Sequence, residues 1–180
     1  RPREHYLLGR FLGIAMLLAG TMALFGLFLG LLGWVASSGY QQGTPIHNGW
    51  PLAPVMAYLW LDLITVTAFT CLMGTLSTTP MLPFGLGLAF AWAARTFGPV
   101  LAYMYGGDRP LGGTGTPLGE GLRNLQWLLP DLSQLDLREG LLYGQWPTGD
   151  ALTAAPAAAL GYTTLLLGLA IWRFRSREFA

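Results

Sequence analysis

Two charged side chains stand where apolar ones belong. Asp62 is the sole charge in the run Leu52–Leu76, and Arg95 is the sole charge in Met81–Tyr105. An ionisable group inside such a run is costly in hydrocarbon and faces a partner, water or a pathway. If one run descends and the next ascends, each residue lies about ten residues from the same end, so a salt bridge is within reach. The pair then reads as a packing ion pair, as a snorkelling arginine with its acid, or as a polar step on a translocation path. Other chemistry has little to build on. His5, His47 and Cys71 are far apart, with no HExxH and no CxxC, so no metal site is expected. His47 has no neighbouring acid and reads as a solvated loop histidine. The chain has no lysine, which excludes a P-loop and nucleotide binding through one. A serine triad would lack its histidine. Asp131, Asp136 and Glu139 have no histidine beside them to make a lipid-acting site. The methionines are scattered through the apolar runs and read as gap-fillers rather than a soft-metal path. No catalytic residue and no directly bound cofactor is expected.

The elements that must position Asp62 and Arg95 are long and greasy. Phe11–Ala36 and Ala151–Trp172 contain no charge at all. A bilayer core of roughly 30 Å takes about 20 apolar helical residues, and each of the four runs has that length. The expected fold is all-α: a polytopic helix bundle in one transmembrane domain, with spans near 10–36, 52–76, 81–105 and 151–172. Charged residues make up 11% of the chain, far below a soluble domain's roughly 25%. A net charge of +1 gives no reason to expect nucleic acid as a partner.

The placement of charge is more telling. Arg1, Arg3, Arg10, Arg173, Arg175 and Arg177 cluster at the two ends, and the 37–51 loop has no basic residue but His47. Positive charge stays cytoplasmic, so both ends are expected in the cytoplasm and 106–150 outside. Within that outer segment, leucines recur at helical spacing on either side of Pro130-Asp131. Each half, about ten residues long, is too short to span. A pair of short amphipathic helices, lying in the interface or dipping into the bilayer, is expected there, with Asp131 capping the second. Gly26 and Gly30 form a small-xxx-small patch where another helix can approach. The tight link 77–80 leaves the second and third spans as antiparallel neighbours, and Pro99 is expected to kink the third.

Three stretches carry a family likeness. RPREHYLLGRFLG at 1–13, LRNLQWLLPDLSQLDLREGLLYG at 122–144 and IWRFRSREF at 171–179 resemble parts of ABC-type exporter permeases. They are similar, respectively, to the cytoplasmic entry to a middle span, the external re-entrant hairpin before the last span, and the arginine-rich ending. The resemblance implies that this chain is the last four spans of a six-span permease. It implies a dimer of permease copies, with a substrate path along their interface in the cytoplasmic (inner) membrane. It also implies a cytoplasmic ATP-binding subunit that hydrolyses ATP and couples near Arg3, Tyr6 and Arg10. Arg95 has no counterpart in the motifs that carry the likeness. A non-transporting membrane anchor or assembly subunit accounts for the spans and the glycine patch equally well, but not for the split segment before the last span.

Overall fold

The computed structural model describes residues 4–39, 52–79, 81–106, 130–144, 146, 149 and 151–176. Among these residues every regular element is helical. Helices α1 (Glu4–Gly39), α2 (Leu52–Leu76) and α3 (Met81–Gly106) come first. A 3-10 turn, Leu132–Leu135, and the short α4 (Arg138–Tyr143) follow, and α5 (Ala151–Ser176) closes the chain.

His5–Ala36, Leu52–Leu76 and Leu152–Arg175 are long and apolar enough to cross a membrane. Helix α3 has the length but is not among these three, and it carries Arg95 at mid-helix. Pro99 lies inside an unbroken helix. Helix α1 starts well before the apolar run: with no proline after Pro2, the run's helix continues back through Arg10 to Glu4. Its 36 residues make about 54 Å of helix, longer than a bilayer core is thick. Its outer side exposes Leu24, Leu27 and Trp34, an apolar surface that suits lipid.

The pairing of residues between helices fixes their directions. Thr70 meets Gly87, Phe69 stacks on Phe90, and Arg95 meets Asp62, so α2 and α3 are antiparallel. Trp60 Nε1 donates to the Ala15 carbonyl at 3.0 Å, and Gly26 faces Met56, so α1 is antiparallel to α2 as well. Tyr58 bonds to Leu152 and Thr65 to Thr163, so α5 runs parallel to α2. One end of the bundle therefore gathers the start of α1, the 77–79 link and the end of α5. The other gathers the end of α1, the start of α2, the end of α3, the start of α5, and residues 130–144 and 146.

Helix α2 is the hub, packed against α5, α3 and α1. Small residues let α5 come close: Thr65, Ala68 and Ala170 are fully buried, and Ala159 and Thr163 nearly so. The Thr65 and Thr163 hydroxyls, 3.1 Å apart, give each other a partner at that interface. Proline sets one further contact. Pro156 has no N–H to return to the Leu152 carbonyl one turn back. The Tyr58 hydroxyl donates to that carbonyl instead.

The segment 130–144 differs from the single helix expected for its half of the pair. It breaks into the 3-10 turn and α4 because Asp136 takes an extended conformation between them. Its backbone N–H closes on Ser133, while its carboxylate accepts from the Arg138 N–H. The companion half, 120–129, lies outside the described residues.

Candidate functional site

The site grows from the gap between α3 and α5. Among the long helices α3 packs chiefly on α2, and the 3-10 turn fills the space beside it, touching α3, α2 and α5. Leu132 and Leu135 are buried against Phe90, Ala94, Ala155 and Ala159. Ala94 lies 12 residues before the end of α3, so the turn reaches about 18 Å along that helix.

Asp131 anchors this wedge. Its carboxylate accepts from Ser133 N at 3.2 Å and from Gln134 Nε2 at 3.1 Å, and caps the turn. It lies directly over Gly98 of α3, where any Cβ would collide with the carboxylate. The capping role expected of Asp131 is the one it has, and the glycine beneath it is the seat.

Beneath the wedge, Asp62 and Arg95 meet. Arg95 Nε donates to Asp62 Oδ2 at 3.0 Å, and Nη2 donates to the same oxygen. Both residues lie near mid-helix: Asp62 is 10 residues past Leu52, and Arg95 is 11 before Gly106. Their burial differs sharply. Asp62 is only 5% exposed, and its Oδ1 is buried with no hydrogen-bond partner among the described residues. The Arg95 side chain is 48% exposed, on a face shared with the exposed Leu88 and Trp92.

A second pair stands beside the first. Arg138 Nε donates to Asp136 Oδ1 at 2.7 Å and to Oδ2 at 2.9 Å. That hydrogen bond, helped by the Arg138 backbone N–H and charge and least by the charge of Arg95, holds the Asp136 carboxyl below the usual aspartate range against the opposing effect of burial. All four charged groups line one cavity of about 360 Å³, closed by Leu132, Leu135 and Pro99. It is within the size range of small-molecule sites. Two guanidinium groups and two carboxylates leave it formally neutral but strongly dipolar.

The remaining sequence candidates lie elsewhere. Tyr6 and Arg10 line a separate cavity of about 490 Å³ at the opposite end, with Cys71, Thr75, Thr79 and Phe174. Gly26 lies over Met56 Cγ, at 3.4 Å from where its Cβ would be, and Gly30 lies over Leu52. The glycine patch thus faces α2 within the chain. Arg3 and His47 lie outside the described residues. No group of three potential metal ligands occurs among the described residues. Sequence reasoning missed the joining of Asp136 and Arg138 to the Asp62–Arg95 pair. The available signal was the Asp-Leu-Arg spacing in a segment already expected to dip inward.

No family model matches the sequence, and no curated protein or solved structure does either.

Proposed function

We propose that the chain is the membrane permease subunit of an ATP-driven ABC exporter, and that α3 is a fourth crossing. The helix pairing supports this most directly. It brings Arg10 of α1 and Arg173 and Arg175 of α5 to one end of the bundle, opposite residues 130–144 and 146. That arrangement supports cytoplasmic ends, since basic residues favour that side, with the wedge opposite as a re-entrant element. Length supports α3 as a span: its 26 residues give about 39 Å, and it pairs with α2 along most of its course. ATP hydrolysis belongs to a separate cytoplasmic subunit docked near Arg3, Tyr6 and Arg10. Transport proceeds by rigid-body movement of helices that alternates access, in a dimer of permease copies.

The test is co-purification. The intact protein is expressed together with its flanking reading frames, isolated in detergent and probed for a bound P-loop ATPase. Recovery of the ATPase, weakened by Arg10→Glu, is the expected result. An intact protein that never retains an ATPase overturns the reading. One that assembles with other membrane subunits but turns over no ATP fits the anchor alternative.

A further inference from the structure

The cavity at the basic end of the bundle has an uncompensated charge. It holds about 490 Å³ between α1 and α2, closed by the 77–79 link, Pro83 and Phe174. Arg10 is its one charged lining residue, and no acid lines it. Unlike Arg95 and Arg138, Arg10 has no hydrogen-bond or ion-pair partner among the described residues, and neither has the Thr78 hydroxyl.

Depth fixes the shape of an occupant. Along α2 the lining runs from Ser77 to Thr67, ten residues and about 15 Å. That is half of a roughly 30 Å hydrocarbon core, the depth of one leaflet. The free polar groups gather at the outer end. Thr78 sits in the link, and the Arg10 stem leans towards the N-terminus of its helix, which is that same end. The inner end has no donor to spare, because the Thr67 and Thr70 hydroxyls donate to the Leu63 and Val66 carbonyls at 2.7 and 2.9 Å. Gly74 keeps the middle open, with no atom within 4 Å of where its Cβ would be. Tyr6 and Ile14 on the rim are exposed, so the cavity opens on the lipid-facing side of the bundle.

An anionic group suits the outer end and a hydrocarbon chain the inner one. A soluble anion would leave the inner half empty. An acidic side chain from a cytoplasmic protein would not reach Ile14 and Thr67. A zwitterionic head brings an ammonium for which the cavity has no carboxylate. We infer that this cavity binds one anionic phospholipid of the leaflet at the basic end, its phosphate on Arg10 and Thr78 and one acyl chain along α2 towards Thr67. The head then lies at the interface and the tail points to the bilayer centre. This rests on α1 and α2 crossing a bilayer, and neither on the ATPase nor on α3.

The experiment is native mass spectrometry of the full chain, delipidated in detergent and then offered equal amounts of phosphatidylglycerol and phosphatidylcholine with the same acyl chains. Alkylation of Cys71 by iodoacetamide is the second readout, since Cys71 lines the cavity and is the chain's only thiol. One phosphatidylglycerol should be retained about fivefold over phosphatidylcholine, the scale of one arginine at an anionic surface, and should slow the alkylation. Arg10→Gln should abolish the preference. Gly74→Leu fills the cavity without changing its charge and should cut phosphatidylglycerol retention as far, which keeps the test decisive if the arginine variant misfolds. Equal retention of the two lipids overturns the inference, as does phosphatidylglycerol that stays bound in Gly74→Leu or leaves Cys71 as reactive as before. Displacement of the lipid by inorganic phosphate would also overturn it, by making the groove irrelevant. Loss of the lipid preference while the ATPase still co-purifies removes this inference alone. Lipid held by a chain that never retains an ATPase removes the earlier reading alone.

Discussion

Exchanging the two members of the Asp62–Arg95 pair should give unequal costs, because their burial is unequal. Arg95→Gln strands a carboxylate that is 5% exposed and already has one unpartnered oxygen. An uncompensated buried charge of that kind costs about 3–5 kcal/mol. Asp62→Asn strands a guanidinium that is 48% exposed, on a long stem that can carry it towards the interface. Its loss is nearer that of one charged hydrogen bond, about 1.5–3 kcal/mol. The two residues touch, so the costs do not add: the double variant should fall short of their sum by about 2–3 kcal/mol. The assay is reversible unfolding in mixed micelles at rising denaturing-detergent fraction, followed by tryptophan fluorescence, for the parent, both singles and the double. Asp62→Asn costing more than Arg95→Gln would refute the burial argument. Singles that sum to the double within about 0.5 kcal/mol would refute the pairing itself.

Other outcomes follow from the same contacts. Tyr58→Phe removes the donor that replaces the missing Pro156 N–H and should cost about 1–3 kcal/mol in the same assay; Tyr58→Phe in a Pro156→Ala background should cost clearly less, since the helix then supplies its own N–H. Gly98→Ala should displace the Asp131 carboxylate and loosen the wedge, read as faster hydrogen exchange at 132–135 with α2 and α5 unchanged. The Asp136–Arg138 pair has the opposite pH sense from a histidine switch. Its aspartate is held low by the Arg138 hydrogen bond, so its contribution is complete above the usual aspartate value of about 3.9 and is lost only as pH falls through the lowered one. Protection of residues 136–140, corrected for intrinsic exchange, should therefore be flat from pH 8 to about pH 5 and decline only in stronger acid. Because the pair is exposed, the change should be small, about 0.2–1 kcal/mol.

The long helices were legible because hydrophobic runs of that length leave the backbone one way to satisfy its N–H and C=O groups. Leu52–Leu76 has the bounds of its apolar run. Helices α1 and α5 overrun theirs, since polarity ends an apolar run without ending a helix: Arg10 and Arg173 are as helical as their neighbours. The adjacency of α2 and α3 followed from a link too short for any other arrangement. The closer pairing of α2 with α5 was hidden, because 74 residues separate Leu76 from Ala151 and only packing selects the buried faces that carry Thr65 and Ala68 on one helix and Thr163 and Ala170 on the other. In the site, Asp62 and Arg95 stood out as charges in apolar runs. Asp136 and Arg138 did not, because charges in a polar segment look alike until the fold brings one pair beside a buried acid. The break at Asp136 was masked by leucines whose spacing suits one helix, whereas the Asp136–Arg138 hydrogen bonds favour an extended residue there.

The central claim is that the bundle crosses a membrane with its basic ends together and the wedge opposite, and cysteine accessibility tests it most directly. Cys71→Ser removes the chain's only thiol, and single cysteines are then introduced at Thr78 in the α2–α3 link and at Gly149 before α5. A membrane-impermeant maleimide should label Gly149→Cys only from outside sealed right-side-out vesicles and Thr78→Cys only in inverted ones. Both positions labelled from the same side would contradict the account.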